Sequence, residues 1–285
     1  MPALSFLYAA TLVVAAVTAS PTAGAPSGIR WETRIERAAA LSRETGQPIL
    51  VEFWATWCEA CRGMDDQVYS DPSVAEAMRK VLPVRIDVDR DASTARRYNV
   101  SATPTLVLVD ASGDELFRFT GAIQRTPLIE LLRELPGEIS RINQLAAALA
   151  ADPSRCSSLE ALARELRRTA LYVASNRYYE RAIQTDAARR DKALSGRLRA
   201  AVGENYAALK RPEEAAASYE KALRDVRGLP EEPSLMLALA RVQIARGQTK
   251  EARKVLGDLM QRFKGSPAAT EAARIAATMP GAAIR

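Results

Sequence analysis

Apolar positions in the first half of the chain follow two patterns, one typical of amphipathic helices and one typical of buried strands. Apolar runs predict strands over residues 49–54, 84–88, 105–109 and 115–119. Helical spacing predicts helices over residues 31–45, 58–70, 92–98 and 126–135, with another beginning at Pro72. The resulting order, β-α-β-α-β-β-α, predicts an α/β domain with a mixed sheet flanked by helices.

The second half of the chain shows one pattern, because no strand signal follows residue 136 and Ala, Leu, Arg and Glu dominate. Tyr179-Glu180-Arg181-Ala182-Ile183 is echoed by Tyr219-Glu220-Lys221-Ala222-Leu223, a repetition that resembles tetratricopeptide repeats. Helical hairpins are expected near residues 156–190, 196–228 and 233–264. The resemblance implies a concave groove that binds a partner or peptide. The alternative is a helical appendage that stabilises the first domain or dimerises.

The N-terminus carries an apolar stretch over residues 4–19 that is too short to span a bilayer comfortably. Ala23-Gly24-Ala25 offers a cleavage site, so residues 1–25 are predicted to be a secretory signal peptide. No Lys or Arg precedes the apolar stretch, which leaves a retained anchor or a buried helix as alternatives. Export would place the protein in the periplasm or outside the cell.

Composition narrows the possible chemistry, because the 285 residues include 3 cysteines and no histidine. Ser-His-Asp catalysis, Cys-His catalysis and a histidine pH switch are therefore excluded. Residues 136–285 contain 26 Lys and Arg and 17 Asp and Glu, whereas residues 1–135 carry a small acidic excess. The basic excess suits acidic clients or an anionic membrane surface, and the export signal argues against nucleic acid.

Trp57-Cys58-Glu59-Ala60-Cys61 is the motif that carries chemistry. It lies where a buried strand gives way to a helix, so unpaired helix amides and the helix dipole would stabilise a thiolate at Cys58. Cys61 lies one turn further, close enough to form a disulfide, and this arrangement favours thiol–disulfide exchange. A structural zinc site needs four ligands, and only Cys156 is left as a third, so no metal or other cofactor is expected.

Three stretches give residues 30–135 a resemblance to the thioredoxin fold. They are Val51-Glu52-Phe53-Trp54-Ala55-Thr56-Trp57-Cys58-x-x-Cys61, Asp87-Val88-Asp89 and Ala102-Thr103-Pro104-Thr105. Gly46-Gln47-Pro48 and Ser70-Asp71-Pro72-x-Val74 add a closer similarity to the C-terminal thioredoxin-like domain of the membrane thiol:disulfide reductases of the bacterial periplasm. The predicted organisation is a signal peptide over 1–25, a thioredoxin-like domain over 26–135, a linker helix over 136–155 and tetratricopeptide-like repeats over 156–285.

The resemblance to thioredoxins implies a role for several residues. Cys58 is the expected exposed nucleophile and Cys61 the resolving thiol. Pro104 is the expected cis-proline opposite the disulfide, which leaves the Thr103 backbone free to pair with an extended substrate strand. Trp57 is the other expected substrate contact. The alternative for Pro104 is an ordinary trans proline at the start of an edge strand.

Glu52 stands where the family usually has a buried Asp beneath the resolving thiol, and Arg85 where it often has a Lys. A buried carboxylate with a raised pKa can take the proton of Cys61 when that thiol attacks the mixed disulfide. Arg85 stays charged, so it could instead hold Glu52 ionised in a buried ion pair. The sequence leaves both interpretations open.

Glu59 and Ala60 separate the two cysteines and depart from the Gly-Pro pair of thioredoxin. A negative charge next to Cys58 disfavours the thiolate and destabilises the reduced form, which favours reducing behaviour. The effect of Glu59 would be small if its side chain points to solvent.

The sequence thus predicts an exported thiol–disulfide oxidoreductase that acts as a reductase on protein disulfides. The repeat domain would dock the protein thiol or disulfide client, or the membrane or periplasmic electron donor that recharges the site. The alternative is a holdase-like chaperone or partner-binding scaffold with a thioredoxin fold. Cys156 lies in no motif and is expected to pack as a small apolar side chain that exchange does not require.

Overall fold

The structure of the protein is a computed structural model that describes residues 28–279. The predicted signal peptide lies outside the described residues. The strands are β1 (Ile49–Trp54), β2 (Leu82–Asp87), β3 (Thr105–Val109) and β4 (Glu115–Thr120). The helices of the first domain are α1 (Ile35–Thr45), α2 (Glu59–Met64), α3 (Pro72–Ala77), α4 (Ala92–Arg97) and α5 (Arg125–Glu134). A short 3-10 helix (Met78–Lys80) precedes β2.

The four strands form one mixed sheet in the order β2-β1-β3-β4. β1 runs parallel to β2 and antiparallel to β3, and β3 pairs antiparallel with β4. The turn between β3 and β4 contains Gly113 at a φ of 82°, a conformation that favours glycine. The predicted mixed sheet and its glycine turn are confirmed, and β2 begins two residues earlier than the pattern indicated.

The central strand β1 separates two apolar layers. Val51 and Phe53 belong to the layer formed with α1 and α4, whereas Leu50 belongs to the layer formed with α2, α3 and α5. Because side chains alternate across a strand, Glu52 shares the face of Leu50. The single acidic residue of β1 therefore lies on the side of the sheet that is covered by the helix following the cysteine motif.

The helix that follows the motif is not one continuous α-helix. α2 ends at Met64, and a π-helical segment (Asp65–Tyr69) continues it. The predicted break then follows, since Asp71 accepts a hydrogen bond from the Ser73 N–H at 2.8 Å and Pro72 occupies the first position of α3. The break is confirmed, whereas nothing in the apolar pattern indicated the π-helical turn.

Residues 136–155, expected to form a linker helix, contain α6 (Ser140–Ala151), which packs on the first domain. The Asn143 side chain donates a hydrogen bond to the Ser42 carbonyl at 3.2 Å and accepts one from the Ala111 N–H at 3.0 Å. These bonds attach α6 to α1 and to the turn between β3 and β4. The helix is therefore a packed layer and not a free connection.

The remaining helices form the repeat region. They are α7 (Cys156–Arg168), α8 (Tyr172–Ile183), α9 (Asp186–Arg190), α10 (Lys192–Ala208), α11 (Pro212–Asp225), α12 (Glu232–Ala245), α13 (Thr249–Arg262) and α14 (Pro267–Thr278). The three predicted hairpins pair α7 with α8, α10 with α11 and α12 with α13. A Cβ atom at Gly203 would lie 2.9 Å from the Tyr219 ring, so glycine is required for the close approach of α10 and α11. None of the helices within residues 28–279 is long and apolar enough to cross a membrane.

The repeat region joins the first domain at the end of the sheet where β3 turns into β4. The Tyr178 hydroxyl of α8 donates a hydrogen bond to Asp114 Oδ2 at 2.8 Å. β1 and β3 pair in antiparallel register, so Val109 at the end of β3 lies beside Ile49 at the start of β1, next to the repeat region. Thr105 at the start of β3 lies beside Phe53, near the end of β1, at the opposite end of the sheet. β1 therefore delivers the cysteine motif to the end of the sheet opposite the repeat region.

Candidate active site

The cysteine motif lies at the junction of β1 and α2. Cys58 occupies the N-cap position of α2, and its Sγ accepts a hydrogen bond from the Cys61 N–H at 3.1 Å. The two cysteines form a disulfide with an S–S distance of 2.09 Å and a Cα–Cα distance of 5.3 Å. The Cys58 sulfur thus faces the free amides of a helix start, which stabilise a thiolate once the disulfide is reduced.

Cys58 is less accessible than the sequence suggests. Cys58 is 5% exposed and Cys61 is 0% exposed, and the pair packs with Ala55, Trp54 and Val88. The expectation of an exposed nucleophile is therefore wrong for the disulfide form, because neighbouring apolar side chains cover most of Cys58. Cys58 is still the more accessible of the two, and its role as the nucleophile stays a prediction.

The surface around the disulfide comes from separate stretches of the chain. Trp57 is 64% exposed, and its Nε1 donates a hydrogen bond to Asp89 Oδ2 at 2.8 Å, which orients the indole beside the motif. The Thr103–Pro104 peptide bond is cis, and Pro104 directly precedes β3 at the end of the sheet where β1 stops. The fold thus places the predicted substrate contacts, Trp57 and Thr103, at the same edge of the sheet as the cysteines.

A buried cluster of charged side chains lies on the face of β1 that α2 covers. Glu52 is 0% exposed, and its Oε2 lies 3.0 Å from Nε of Arg85 on the neighbouring strand β2. Arg85 also contacts Asp65 of the π-helical segment, since its Nη2 lies 2.9 Å from Oδ1 and donates a hydrogen bond to Oδ2 at 3.0 Å. The Arg85 guanidinium therefore forms ion pairs with two carboxylates, those of Glu52 and Asp65.

The protonation of this cluster follows from its burial and its charges. Burial raises the pKa of Glu52 to about 7, although Arg85 opposes the increase, and the negative charge of Asp65 adds to it. Burial also acts against the charge on Arg85, but Glu52 and Asp65 outweigh this and hold the pKa of Arg85 above its ordinary value. The ion pair of one interpretation is present, and the raised pKa of Glu52 is what the other interpretation requires. The role of Glu52 as a proton acceptor stays a prediction.

Aromatic side chains enclose the same cluster. The Arg85 guanidinium lies 4.4 Å from the centre of the Trp54 ring and 5.5 Å from that of Trp31. Burial and the nearby Glu52 carboxylate raise the pKa of Tyr69 well above its ordinary value. Sequence reasoning missed Asp65 and Tyr69, although their spacing of four and eight residues after Cys61 places all three on one helix face.

Glu59 and Ala60, the two residues between the cysteines, are both exposed. Water therefore screens the charge of Glu59, so this charge should disfavour the Cys58 thiolate only slightly. Ala60 contributes no polar group of its own. The redox tuning assigned to these two positions stays a prediction.

Cys156, the third cysteine, is the first residue of α7 and is partly buried. Its Sγ lies 3.7 Å from the Ala182 carbonyl oxygen, and the side chain packs against the apolar core of the repeat region. This environment agrees with the expectation of a small apolar side chain. Within residues 28–279, no group of three or more Cys, Asp and Glu side chains is placed to hold a metal ion.

Family models match two parts of the chain. Residues 35–136 match the thioredoxin-like domain model, and residues 206–275 match a tetratricopeptide repeat model. The chain therefore contains a thioredoxin-like domain, followed by a helical region with tetratricopeptide repeats. This outcome confirms the fold class and both resemblances seen in the sequence.

Among known proteins, the first domain is similar to thiol:disulfide interchange proteins. The chain is 32% identical over 114 residues to thiol:disulfide interchange protein DsbD 2 of Pseudomonas aeruginosa, covering 37% of this chain and 19% of that protein. It is 27% identical over 113 residues to DsbD of Vibrio vulnificus, covering 38% and 19%. The chain thus spans about a fifth of the length of the curated relatives it matches.

Two solved structures are similar to the same domain. A thioredoxin from Thermus thermophilus is 32% identical, with a TM-score of 0.34, over 38% of this chain and 86% of that one. The oxidised C-terminal domain of DsbD from Neisseria meningitidis is 20% identical, with a TM-score of 0.31, over 35% and 88%.

Proposed function

We propose that the protein is an exported thiol–disulfide oxidoreductase that reduces disulfides in other proteins. The observation that carries the proposal is the placement of Cys58 at a helix start, in a disulfide with Cys61 and on the sheet face that holds the buried Glu52. The similarity of this domain to thiol:disulfide interchange proteins supports the same chemistry. Export rests on the apolar N-terminal stretch and its small-residue cleavage site.

The proposed reaction begins from the reduced protein. The Cys58 thiolate attacks a client disulfide, forms a mixed disulfide and releases one client thiolate. The Cys61 sulfur then attacks Cys58 Sγ, which forms the Cys58–Cys61 disulfide and releases the second client thiolate. Glu52 accepts the proton that Cys61 loses. The client gains two electrons, and an external dithiol of a membrane or periplasmic partner must return two electrons to the protein.

Trapping identifies the clients and tests the reaction. Cys61→Ala removes the resolving thiol, so mixed disulfides between Cys58 and clients should accumulate in the native compartment. Cys58→Ala/Cys61→Ala is the matched control and should trap nothing. Failure of Cys61→Ala to capture any partner, together with no reduction of protein disulfides in vitro, would contradict the proposed activity.

The direction of electron flow is proposed to be reducing. The chain has no histidine to stabilise the Cys58 thiolate, and the exposed Glu59 adds a small effect that disfavours this thiolate, so we expect no special stabilisation of the reduced form. Equilibration against glutathione should give a potential nearer the roughly −270 mV of thioredoxin than the roughly −120 mV of strong oxidants. A value above about −180 mV would be inconsistent with a reductase. Glu59→Lys should shift the potential upward, and the exposure of position 59 makes the expected shift modest.

The repeat region is proposed to dock an acidic client or redox partner. A groove of about 740 Å³ lies between α8 and α11, with Val202 and Tyr206 of α10 on its floor. Its lining contains four basic residues, Arg177, Arg181, Arg199 and Lys221, and two acidic ones, Glu180 and Glu214. A second groove of about 740 Å³ between α7 and α10 has four basic lining residues, Arg164, Arg167, Arg168 and Arg197, and two acidic ones, Glu160 and Glu204. The basic side chains match the basic excess of this half of the chain and favour negatively charged partners.

Charge reversal tests the docking proposal. Arg181→Glu should lower kcat/KM for a protein client while leaving the reduction of a small disulfide unchanged, because only the protein client reaches the groove. Lys250→Glu, which makes the same charge change on α13 outside both grooves, is the control. Equal losses in the two variants would indicate a general charge effect and remove the support for docking.

A holdase-like chaperone is the second candidate. The two grooves favour it because no cysteine lines them, so a client bound there would be held without thiol exchange. Cys58→Ser/Cys61→Ser leaves both grooves intact. Suppression of client aggregation by this variant would establish chaperone activity independent of exchange. Its failure in the same assay would leave the oxidoreductase as the supported function.

A further inference from the structure

We propose that Asp65 is a positioning residue that takes the directed hydrogen bond of the Arg85 guanidinium and so prevents Arg85 from binding Glu52 through two parallel hydrogen bonds, which leaves Glu52 able to accept the Cys61 proton. The inference rests on the proposed function, because it concerns the step in which Cys61 resolves the mixed disulfide. It assigns a task to a residue that lies outside the cysteine motif and on the segment that continues α2.

The contacts of Arg85 are divided unequally between the two carboxylates. Nη2 of Arg85 reaches both oxygens of Asp65, at 2.9 and 3.0 Å, and donates a hydrogen bond to Oδ2. Nε of Arg85 lies 3.0 Å from Glu52 Oε2, but the angle between them is poor for a hydrogen bond. The directed bond therefore goes to Asp65, and Glu52 receives mainly the electrostatic attraction.

This division matters because a guanidinium can bind one carboxylate through two parallel hydrogen bonds. Such bidentate pairs are strong and hold the carboxylate in its charged form. If Asp65 were absent, Arg85 would be free to rotate fully onto Glu52. A carboxylate held in that way would be a poor proton acceptor for a thiol.

The backbone explains how Asp65 reaches the cluster. Asp65 lies four residues after Cys61, and Tyr69 lies four residues after Asp65. The three side chains therefore share one helix face. The π-helical segment begins at Asp65, and π-helical turns are common at functional sites. The same helix face thus carries the resolving thiol and the carboxylate that fixes Arg85.

The groups that act on Glu52 can be named for each neighbouring element. Arg85 comes from β2, and Asp65 and Tyr69 come from the π-helical segment. On the other side of β1, the residue paired with Glu52 is the apolar Leu106 of β3. Asp65 is the one of these groups that can compete with Glu52 for Arg85, since Tyr69 is neutral near pH 7.

The test follows the protonation of Glu52 directly, in the oxidised protein and without a client. Infrared titration of the buried carboxyl group, assigned with Glu52→Gln, gives the pH midpoint of Glu52. Asp65→Asn should lower this midpoint by about one pH unit or more. Asp66→Asn makes the same charge change at an exposed neighbour and should leave the midpoint in place. An unchanged midpoint in Asp65→Asn would overturn the proposal.

A double-mutant cycle separates positioning from simple charge repulsion. Arg85→Gln should raise the Glu52 midpoint, and Asp65→Asn added to Arg85→Gln should then lower it far less than Asp65→Asn does in the protein that keeps Arg85. A full Asp65 effect in the absence of Arg85 would show that Asp65 acts only through its own charge, which contradicts positioning. The Arg85→Gln measurement is also decisive by itself if Asp65→Asn does not fold, since an unchanged midpoint would remove Arg85 from the mechanism.

The chemical step provides the second readout. In single-turnover reduction of a mixed disulfide, Asp65→Asn should shift the pH profile of the release step in the same direction as the infrared midpoint. An infrared shift without any exchange activity in the wild-type protein would refute the proposed function and leave the positioning of Arg85 intact. A release step whose pH profile does not follow the infrared midpoint would refute the assignment of Glu52 as acceptor for Cys61.

Discussion

The thioredoxin-like domain contains buried carboxyl groups with raised pKa values, whereas the shifted carboxyl groups of the repeat region have lowered ones. In the first, Glu52 and Asp110 are buried, and burial raises their pKa values to about 7 and about 6. In the second, Glu271 is partly exposed, and hydrogen bonds from Arg274 and Arg241 lower its pKa to about 2. Removal from water makes a carboxyl group able to exchange protons near neutral pH, whereas surface pairing keeps it ionised. Among the described residues, the carboxyl groups whose pKa values are raised toward neutral pH, Glu52 and Asp110, lie in the first domain.

The two regions also depend on different packing. The first domain encloses its charged cluster with the large rings of Trp31 and Trp54. The repeat region instead relies on glycines that let helices approach each other, such as Gly196 and Gly203 of α10. The following predictions test this contrast, from the largest expected effect to the smallest.

The cysteines should show the greatest contrast between the regions. Cys58→Ser should abolish protein-disulfide reduction to the background rate, because a hydroxyl does not replace a thiolate in exchange. Cys156→Ser in the repeat region should leave the rate within about twofold, which is well under 1 kcal/mol of barrier. The measurement is the reduction of a protein disulfide by each variant. A larger loss in Cys156→Ser would reveal a second redox centre.

Stability should fall with rising pH because of Glu52. Its pKa is about 7 in the folded protein and near 4.5 when unfolded, so the unfolded state loses the proton first as the pH rises. The free energy of unfolding should therefore decrease between about pH 4.5 and 7, on the order of 3 kcal/mol for this group. Urea unfolding at pH 5 and pH 7.5 measures the decrease.

Glu52→Gln is the matching variant, since it keeps the shape and cannot ionise. This variant should reduce the decrease in the free energy of unfolding between pH 5 and 7. The decrease that is left should come from Asp110, whose raised pKa acts in the same direction. The partly exposed Glu271 has a lowered pKa, so its contribution is lost only as the pH falls below about 4.5. An unchanged slope in Glu52→Gln would contradict the buried-carboxyl account.

Two glycines should respond to alanine in opposite directions. A Cβ at Gly196 would lie 2.1 Å from Val226 Cγ1, and this stiff side chain has little room to move. Gly196→Ala should lower the free energy of unfolding by about 1–3 kcal/mol despite the better helix propensity of alanine. Gly257 of α13 has open space around it, so Gly257→Ala should raise stability by up to about 1 kcal/mol. Thermal unfolding of both variants decides the comparison.

The smallest effect is expected at the junction of the two regions. Tyr178→Phe removes the hydrogen bond to Asp114, which should cost about 1 kcal/mol or less because the carboxylate is exposed. Tyr179→Phe is the control, since that side chain lines the groove between α7 and α10. The exchange rate with a small disulfide, which does not use the grooves, should not change in either variant, because the junction lies at the far end of the sheet from Cys58. A slower exchange in Tyr178→Phe would show that the repeat region acts on the redox site.

The sequence by itself determined the strands and most helices of the first domain, and it indicated the chemistry of the motif. Apolar runs gave all four strands, because a buried strand must be apolar along its whole length or on one face. Asp71 and Pro72 marked the helix break, since a capping side chain and a proline act on the local backbone. The cysteine spacing and its place after β1 indicated thiol exchange without any long-range contact.

Only the tertiary structure decided the environment of the site. The low exposure of Cys58 and the sharing of Arg85 between Glu52 and Asp65 depend on which elements pack together, and no local pattern records this. The attachment of the repeat region at the opposite end of the sheet likewise follows from the pairing register of the strands. Burial, ion pairing and pKa shifts arise between residues that are far apart in the chain, so they require the folded protein.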